Sequence, residues 1–201
     1  MKTTGFIDMR QRIIEAAILV AAQAGFTNAT TKAIAQKADC SEGIIYHYFK
    51  SKHELFMDVI KESGQEFLAQ VNKHIEEAKS AEDKITKIVD FHFFYFTGKV
   101  HIFQILFGKS GDAVMPFPHV LKMFILPYQQ AIEETIKGGI KLGEFQKVNT
   151  AVVSTSLLGM MQINIIRLHF GASDIAVDEI KDSVKDLIFN TLLKSKKGDV
   201  K

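Results

Sequence analysis

Three prolines interrupt 201 residues, and all of them, Pro116, Pro118 and Pro127, fall in one short stretch. Elsewhere nothing bars the chain from running as helix, and alternating β-branched runs that would argue for strands are few. Apolar residues recur at helical spacing instead. Ile13, Ala17, Val20 and Ala24 share a face over residues 8–24, and Gly25 follows as a stop, with Phe26 placed for the apolar contact of a C-cap. Thr30 and Thr31 open a second helix to Ala38, with Ile34, Ala35 and Ala38 turned inward. After Asp39-Cys40, Ser41 caps a third helix to about Tyr48. Ser51-Lys52-His53-Glu54 has the form of a capping box, in which Ser51 and Glu54 satisfy each other's free amides. It starts a fourth helix to about Lys79, with Phe56, Ile60, Phe67, Val71, Ile75 and Ala78 inside. Further helices are expected near 82–97, 100–109, 119–142, 149–170 and 175–195. The chain therefore reads as all-α, with about nine helices.

Composition narrows the function. A hydrophobic fraction of 47% with 16 Phe can fill a sizeable interior. A single cysteine, Cys40, rules out an intrachain disulfide framework and any site built from several thiolates. The net charge of +2 is too small to announce nucleic acid by itself, so a nucleic-acid site would have to be local. The N-terminus lacks the apolar core of a secretory signal. The apolar runs 91–107 and 151–170 are broken by His92, Lys99 and His101, and by Ser154, Ser156, Gln162, Asn164 and Arg167. Both are read as buried helices rather than membrane spans, and the protein as cytoplasmic.

The stretch SEGIIYHYFKSKHELF, residues 41–56, sets two tyrosines, a histidine and nearby lysines around a helix of barely two turns. At about 100° per residue, Ile45 and Phe49 stack on one side and face the core, while Gly43 and His47 point the opposite way. Ile44 and Tyr48 flank the outward face on one side and Tyr46 on the other. That is the layout of a helix entering a DNA groove. Glycine permits close approach, His47 reads a base edge, the phenols reach phosphates, and Ile44 meets a thymine methyl. Ser51 and Lys52, at the amino end of the fourth helix, suit a phosphate. The bland alternative is half-buried packing tyrosines and solvated lysines. A helix, a three-residue turn and a short helix, packed by the helix before them, favour DNA.

TTKAIAQKADCSEGIIYHYFKSKHELF closely resembles the DNA-binding signature of TetR-family transcriptional regulators, over roughly residues 8–60. Thr31, Ile34, Ala35, Ser41, Gly43, Tyr46, Tyr48, Phe49, Lys52 and Leu55 match that pattern at its fixed spacing. Asp39 and Cys40 stand where the family usually has Gly and Val. Asp tolerates left-handed backbone better than most residues, and Cys40 can fill the place of a small apolar side chain. The resemblance implies a three-helix helix-turn-helix DNA-binding domain, taken as residues 8–54. Its DNA-contacting residues are Thr31, Ser41, Gly43, Ile44, Tyr46, His47, Tyr48 and Lys52. It also implies that residues 55–201 form a helical domain that binds a small molecule and dimerises through the helices near 149–170 and 175–195. Repression of transcription is implied by the resemblance alone.

No motif in the last two-thirds proves a ligand site. Aromatics and methionines from four helices nonetheless suit an adaptable apolar cavity, with plain core packing as the alternative. The candidates are Phe91, His92, Tyr95, Phe103, Gln104, Phe107, Met123, Phe124, Tyr128, Met161 and Gln162, with Asn164 a further polar group. The run FHFFYF, 91–96, reads as apolar on all sides except at His92. The scarcity of charge among these positions predicts an apolar or amphipathic effector, fatty-acyl-like or aromatic. Ser154, Ser156 and Gly159 would allow close approach of a second copy. A homodimer on an inverted repeat of double-stranded DNA follows independently, since one short recognition helix reads only a few base pairs.

Catalysis finds no support. His47 and His53, or His92 and His101, lack the spacing that puts two metal ligands on one helix face. GGIKLG, 138–143, lacks the glycine spacing and preceding strand of a nucleotide-binding loop. No cofactor and no metal is expected. The rival function is a helical carrier of lipid or hydrophobic ligand, or an interaction bundle, which leaves residues 41–52 unexplained.

Overall fold

The computed structural model describes residues 8–99 and 116–193, and every regular element among them is helical. The helices are α1 (Met9–Asn28), α2 (Thr31–Lys37), α3 (Glu42–Tyr48), α4 (Lys52–Glu76), α5 (Ala81–Gly98), α6 (Phe117–Val120), α7 (Leu126–Leu142), α8 (Thr150–His169) and α9 (Val177–Leu192). The helix expected at 100–109 lies outside the described residues. The chain forms two compact units, one of Met1–Glu66 with Lys99–Met123, the other of Phe67–Gly98 with Phe124–Lys201. Helix α4 contributes its first part to one and its last part to the other.

In the first unit local chemistry sets the boundaries. Asp8 accepts from the Arg10 amide, Thr30 from the Ala33 amide and Ser41 from the Ile44 amide, so each helix opens on a short polar side chain. Gly25, at φ +78°, breaks the helical run of α1, and Phe26 beyond it meets Phe56 edge-on at 5.1 Å. Asp39 carries φ +52°, the left-handed conformation expected of it in the turn between α2 and α3. The capping box differs from expectation. Ser51 Oγ accepts from the Glu54 amide at 3.1 Å, but the Glu54 carboxylate accepts from the Lys50 amide at 2.8 Å, not from that of Ser51. The long Glu side chain reaches one residue further back, because the chain enters α4 through a bend at Ser51.

The inner face of α1 is also rotated from the expected one. Ile13, Ile14, Ala16, Ala17 and Ala21 are buried, Val20 is half-buried and Ala24 is exposed. In α4, Leu55, Phe56, Val59, Ile60, Phe67 and Val71 are buried, whereas Ile75 and Ala78 are only half-covered near its end.

In the second unit α5 packs against α7, α8 and α9, and α8 against α7 and α9. A π-helical turn, Leu121–Ile125, separates α6 from α7, where one helix over 119–142 was expected. Pro127 has no N–H for the carbonyl four residues earlier, and the widened turn just before it accommodates that loss. Helix α8 is long and apolar enough to cross a membrane by length and composition, yet Ser154, Leu157, Met161 and Ile165 pack it into this unit. Ser154 is thus an inward residue and not one left for a second copy: it accepts from Gln129 Nε2 at 2.7 Å and donates to the Ala151 carbonyl. Ser156 and Gly159 remain outward. On α9, Ile180, Val184, Ile188 and Leu192 are buried while Leu187, expected on the same stripe, faces out.

Gly139 is held where two elements meet its backbone. A Cβ there would stand 2.6 Å from Phe145 Cε2 and 2.7 Å from Ala81 Cβ, and both neighbours are themselves buried. Gly139→Ala is therefore expected to lower stability by roughly 1–3 kcal/mol through overpacking. A shift in urea midpoint measures it; a neutral result would mean that α5 and α7 can separate without loss.

Candidate nucleic-acid interface and buried aromatic cluster

Helix α3 is too short to bury both sides, and the two sides divide sharply. Ile45 is fully buried and Phe49, which ends the helix in extended backbone, is 1% exposed. Gly43, Ile44, Tyr46, His47 and Tyr48 are all exposed, Tyr46 by 52%. The rings of His47 and Tyr48 meet edge-on at 5.3 Å. The face consists of a glycine flanked by polar-tipped rings and one branched aliphatic. It offers donors and acceptors to base edges and hydroxyls to phosphates.

Two of the expected contact residues have partners within the protein. Lys52 Nζ donates to the carbonyls of Phe26 and Thr27, at 2.8 and 2.9 Å, and lies 4.7 Å from the Phe26 ring centre. Burial pushes its pKa down. The ammonium ties the end of α1 to the start of α4 rather than standing free at the surface. Thr31 Oγ1 donates to Glu42 Oε2 at 2.7 Å. Glu42 was not among the residues read from the sequence as contacting DNA, though its place four residues before Tyr46 puts it on that residue's side of the helix.

Phe49 is held from behind. The Arg10 guanidinium lies 5.4 Å from its ring centre, donates to Asp58 Oδ2 at 2.6 Å and pairs with Glu62 as well. These carboxylates raise the pKa of Arg10, the bond to Glu62 most of all. Arg12 donates to the Ala38 carbonyl at 2.7 Å, at the carboxyl end of α2. Cys40 in the turn is half-buried, and burial pushes its thiol pKa up, away from the reactive thiolate.

In the second unit Phe67 is the hub of a ring cluster. Its centre lies 5.6 Å from Phe91, 4.9 Å from Tyr95, 5.1 Å from Phe96 and 4.9 Å from Tyr128. Phe67 and Phe96 were not among the expected ligand residues; the helical spacing of Phe67 marked it only as core. His92 is buried, stacked on Tyr128 at 5.9 Å, with Phe96 at 4.8 Å. The polar residue of FHFFYF is thus inside, and Phe94 is the one in solvent, 75% exposed. Burial holds the His92 imidazole neutral, with its pKa pushed down to about 3. Its Nδ1 lies 3.4 Å from the Tyr128 hydroxyl, while Nε2 has no hydrogen-bond partner among the described residues. Met161 is buried, and Met123, Phe124 and Gln162 are half-buried. Asn164 donates to the Met160 carbonyl of its own helix. Phe103, Gln104 and Phe107 lie outside the described residues.

Residues 13–59 match the family described as "Bacterial regulatory proteins, tetR family". The "Fatty acid metabolism regulator protein" of Bacillus subtilis is 24% identical over 136 residues, spanning 68% of this chain and 70% of that relative. The crystal structure of FadR from Bacillus subtilis in complex with stearoyl-CoA superposes with a TM-score of 0.76 at 20% identity, covering 88% of this chain and 96% of that one. A regulator from Saccharomonospora viridis in complex with choline gives a TM-score of 0.79 at 19% identity, covering 92% and 98%. The structural likeness is one of fold, and the helix-turn-helix match supplies the rest. Residues 13–59 are a helix-turn-helix of the tetR family of bacterial regulatory proteins, and the chain is a DNA-binding transcriptional regulator.

Proposed function

We propose that the protein acts in the cytoplasm as a homodimeric repressor, setting one α3 in each half of an inverted-repeat operator and releasing it when an apolar or amphipathic small molecule binds. Residues 8–54 are the DNA-binding domain in this reading, and 55–201 the effector-binding and dimerisation domain. The observation that carries it is the division of α3, with Ile45 and Phe49 buried and Ile44, Tyr46, His47 and Tyr48 exposed. Two phenols, an imidazole and a branched aliphatic gathered on one exposed face match what a DNA groove offers, phosphates for the hydroxyls and base edges for the rest. Dimerisation draws on the outward apolar residues Val152 and Ile163 of α8 and Leu187 of α9. Two substitutions divide the labour. Tyr48→Phe is expected to weaken binding to operator and random DNA alike, through a lost phosphate contact. His47→Ala is expected to change preference at one half-site position. Quantitative mobility-shift titrations on both DNAs check this, and equal effects of the two variants would contradict it.

For the effector, the stearoyl-CoA and choline complexes concern those relatives, and what supports a site here is His92. The Tyr128 hydroxyl is buried, and Nδ1 of His92 is its sole acceptor among the described residues. If Tyr128 donates to Nδ1, the other ring nitrogen carries the proton, and of this pair Nε2–H is the one donor unmet among the described residues. The alternative tautomer leaves two groups unmet. The group that satisfies Nε2–H is a neutral acceptor oxygen, such as an ester, thioester or amide carbonyl, beside the rings of Phe67, Phe96 and Tyr128 that border His92. Linkage requires such an effector to bind the DNA-free state more tightly than the DNA-bound one, and α4, continuous through both units, is the route by which the two sites communicate.

A further inference from the structure

We infer that Glu42 reads a cytosine in each half-site and that Thr31 is the positioning residue that aims it. This inference rests on the reading that α3 enters the major groove. The three side chains form a relay across the exposed face. Thr31 Oγ1 has one proton, and the 2.7 Å bond commits it to Glu42 Oε2. The Tyr46 hydroxyl, 3.5 Å from Thr31 Oγ1, therefore donates to it, giving the order phenol, hydroxyl, carboxylate. Two things follow. Thr31 has no proton left for a phosphate oxygen, so its part in DNA binding is indirect. Glu42, exposed on α3 next to Gly43 and four residues before Tyr46, is tethered through one carboxylate oxygen, and its second oxygen has no partner among the described residues.

A carboxylate is an acceptor only. Beside a phosphate it is repelled, and among the major-groove edges it is best matched by the N4 amino group of cytosine. Held by Thr31, the carboxylate cannot swing away to solvent without giving up a short bond. Its ordering is thus in place before DNA arrives. Isolated glutamates on a helix surface are ordinarily mobile; the hydroxyl from α2 is what makes this one a reader.

The test is selection from random duplexes with the full-length protein, comparing wild type, Glu42→Gln, Thr31→Val and Thr31→Ser, each first checked for unchanged far-UV circular dichroism. Wild type should enrich a cytosine at one position of each half-site. Glu42→Gln should lower that preference on the order of tenfold and move it toward adenine, which glutamine matches, with other positions unchanged. Thr31→Val should weaken the same position several-fold, and Thr31→Ser should restore it. If Glu42→Gln instead tightens binding to every duplex equally, the carboxylate only repels DNA and the inference falls. If Glu42→Gln acts as stated but Thr31→Val does not, the positioning role of Thr31 falls. Wild type that enriches no sequence overturns the groove reading itself.

Discussion

Phe49→Ala is expected to cost roughly 3–5 kcal/mol of stability, the range for emptying a buried aromatic site, and to abolish operator binding. The ring is almost completely buried and sits where α3 ends. Removing it leaves a cavity beneath the helix and strips the Arg10 guanidinium of the surface it covers, while Asp58 and Glu62 still hold that guanidinium in place. The recognition helix spans only seven residues, so it has little intrinsic stability and depends on Ile45 and Phe49 for its position. Urea denaturation followed by circular dichroism measures the first effect, and a mobility-shift titration at temperatures where the variant is folded measures the second. Phe49→Leu should recover much of both. An alanine variant within 1 kcal/mol of wild type that still binds its operator would show that α3 is held by something other than this contact.

Acidification acts on the other unit through His92. The imidazole ordinarily titrates near 6.5, and burial lowers that to about 3 in the folded chain. Between these values the unfolded chain binds a proton that the folded chain refuses, so stability rises with pH across the window and is lost as pH falls. The slope reaches about 1.4 kcal/mol per pH unit. Between pH 6.5 and pH 5, wild type is expected to lose about 2 kcal/mol more than His92→Phe, which has no proton to take up. Asp83, Glu133 and Asp178, whose pKa values are lowered by hydrogen bonds, also lose stability in acid as they protonate. They are common to both proteins and cancel in the comparison. Parallel pH profiles for the two proteins would mean that water reaches His92 and it protonates freely.

What the sequence made legible was whatever depends on neighbours a few residues away. The caps at Thr30, Ser41 and Ser51, the left-handed Asp39 and the division of α3 all follow from side-chain size and a 100° turn per residue. The all-helical class follows from the same local rules. What it hid depends on which surface a helix meets. The runs 91–96 and 150–169 are apolar nearly all round, so the pattern does not choose a face. His92 turned out buried and Phe94 exposed because α7, α8 and α9 pack on one particular side of α5. Ser154 went inward for the same reason, with Gln129 supplying its partner. Long side chains were hidden for a second reason. Lys52, Glu54 and Glu42 each reach a partner that spacing along one helix does not reveal: carbonyls of α1, an amide upstream, and a hydroxyl of α2.

Helix α3 of this chain is expected to read DNA sequence in a two-fold arrangement. Incubating the full-length protein with a random duplex library at moderate salt, and sequencing what it retains, tests it most directly. The retained duplexes should share an inverted repeat whose half-site centres lie about one helical turn, roughly 10 base pairs, or a multiple of it apart. Affinity for that repeat should fall steeply as salt rises, because bound phosphates release counterions. No enrichment, with no retention of duplex DNA even at low salt, would contradict it.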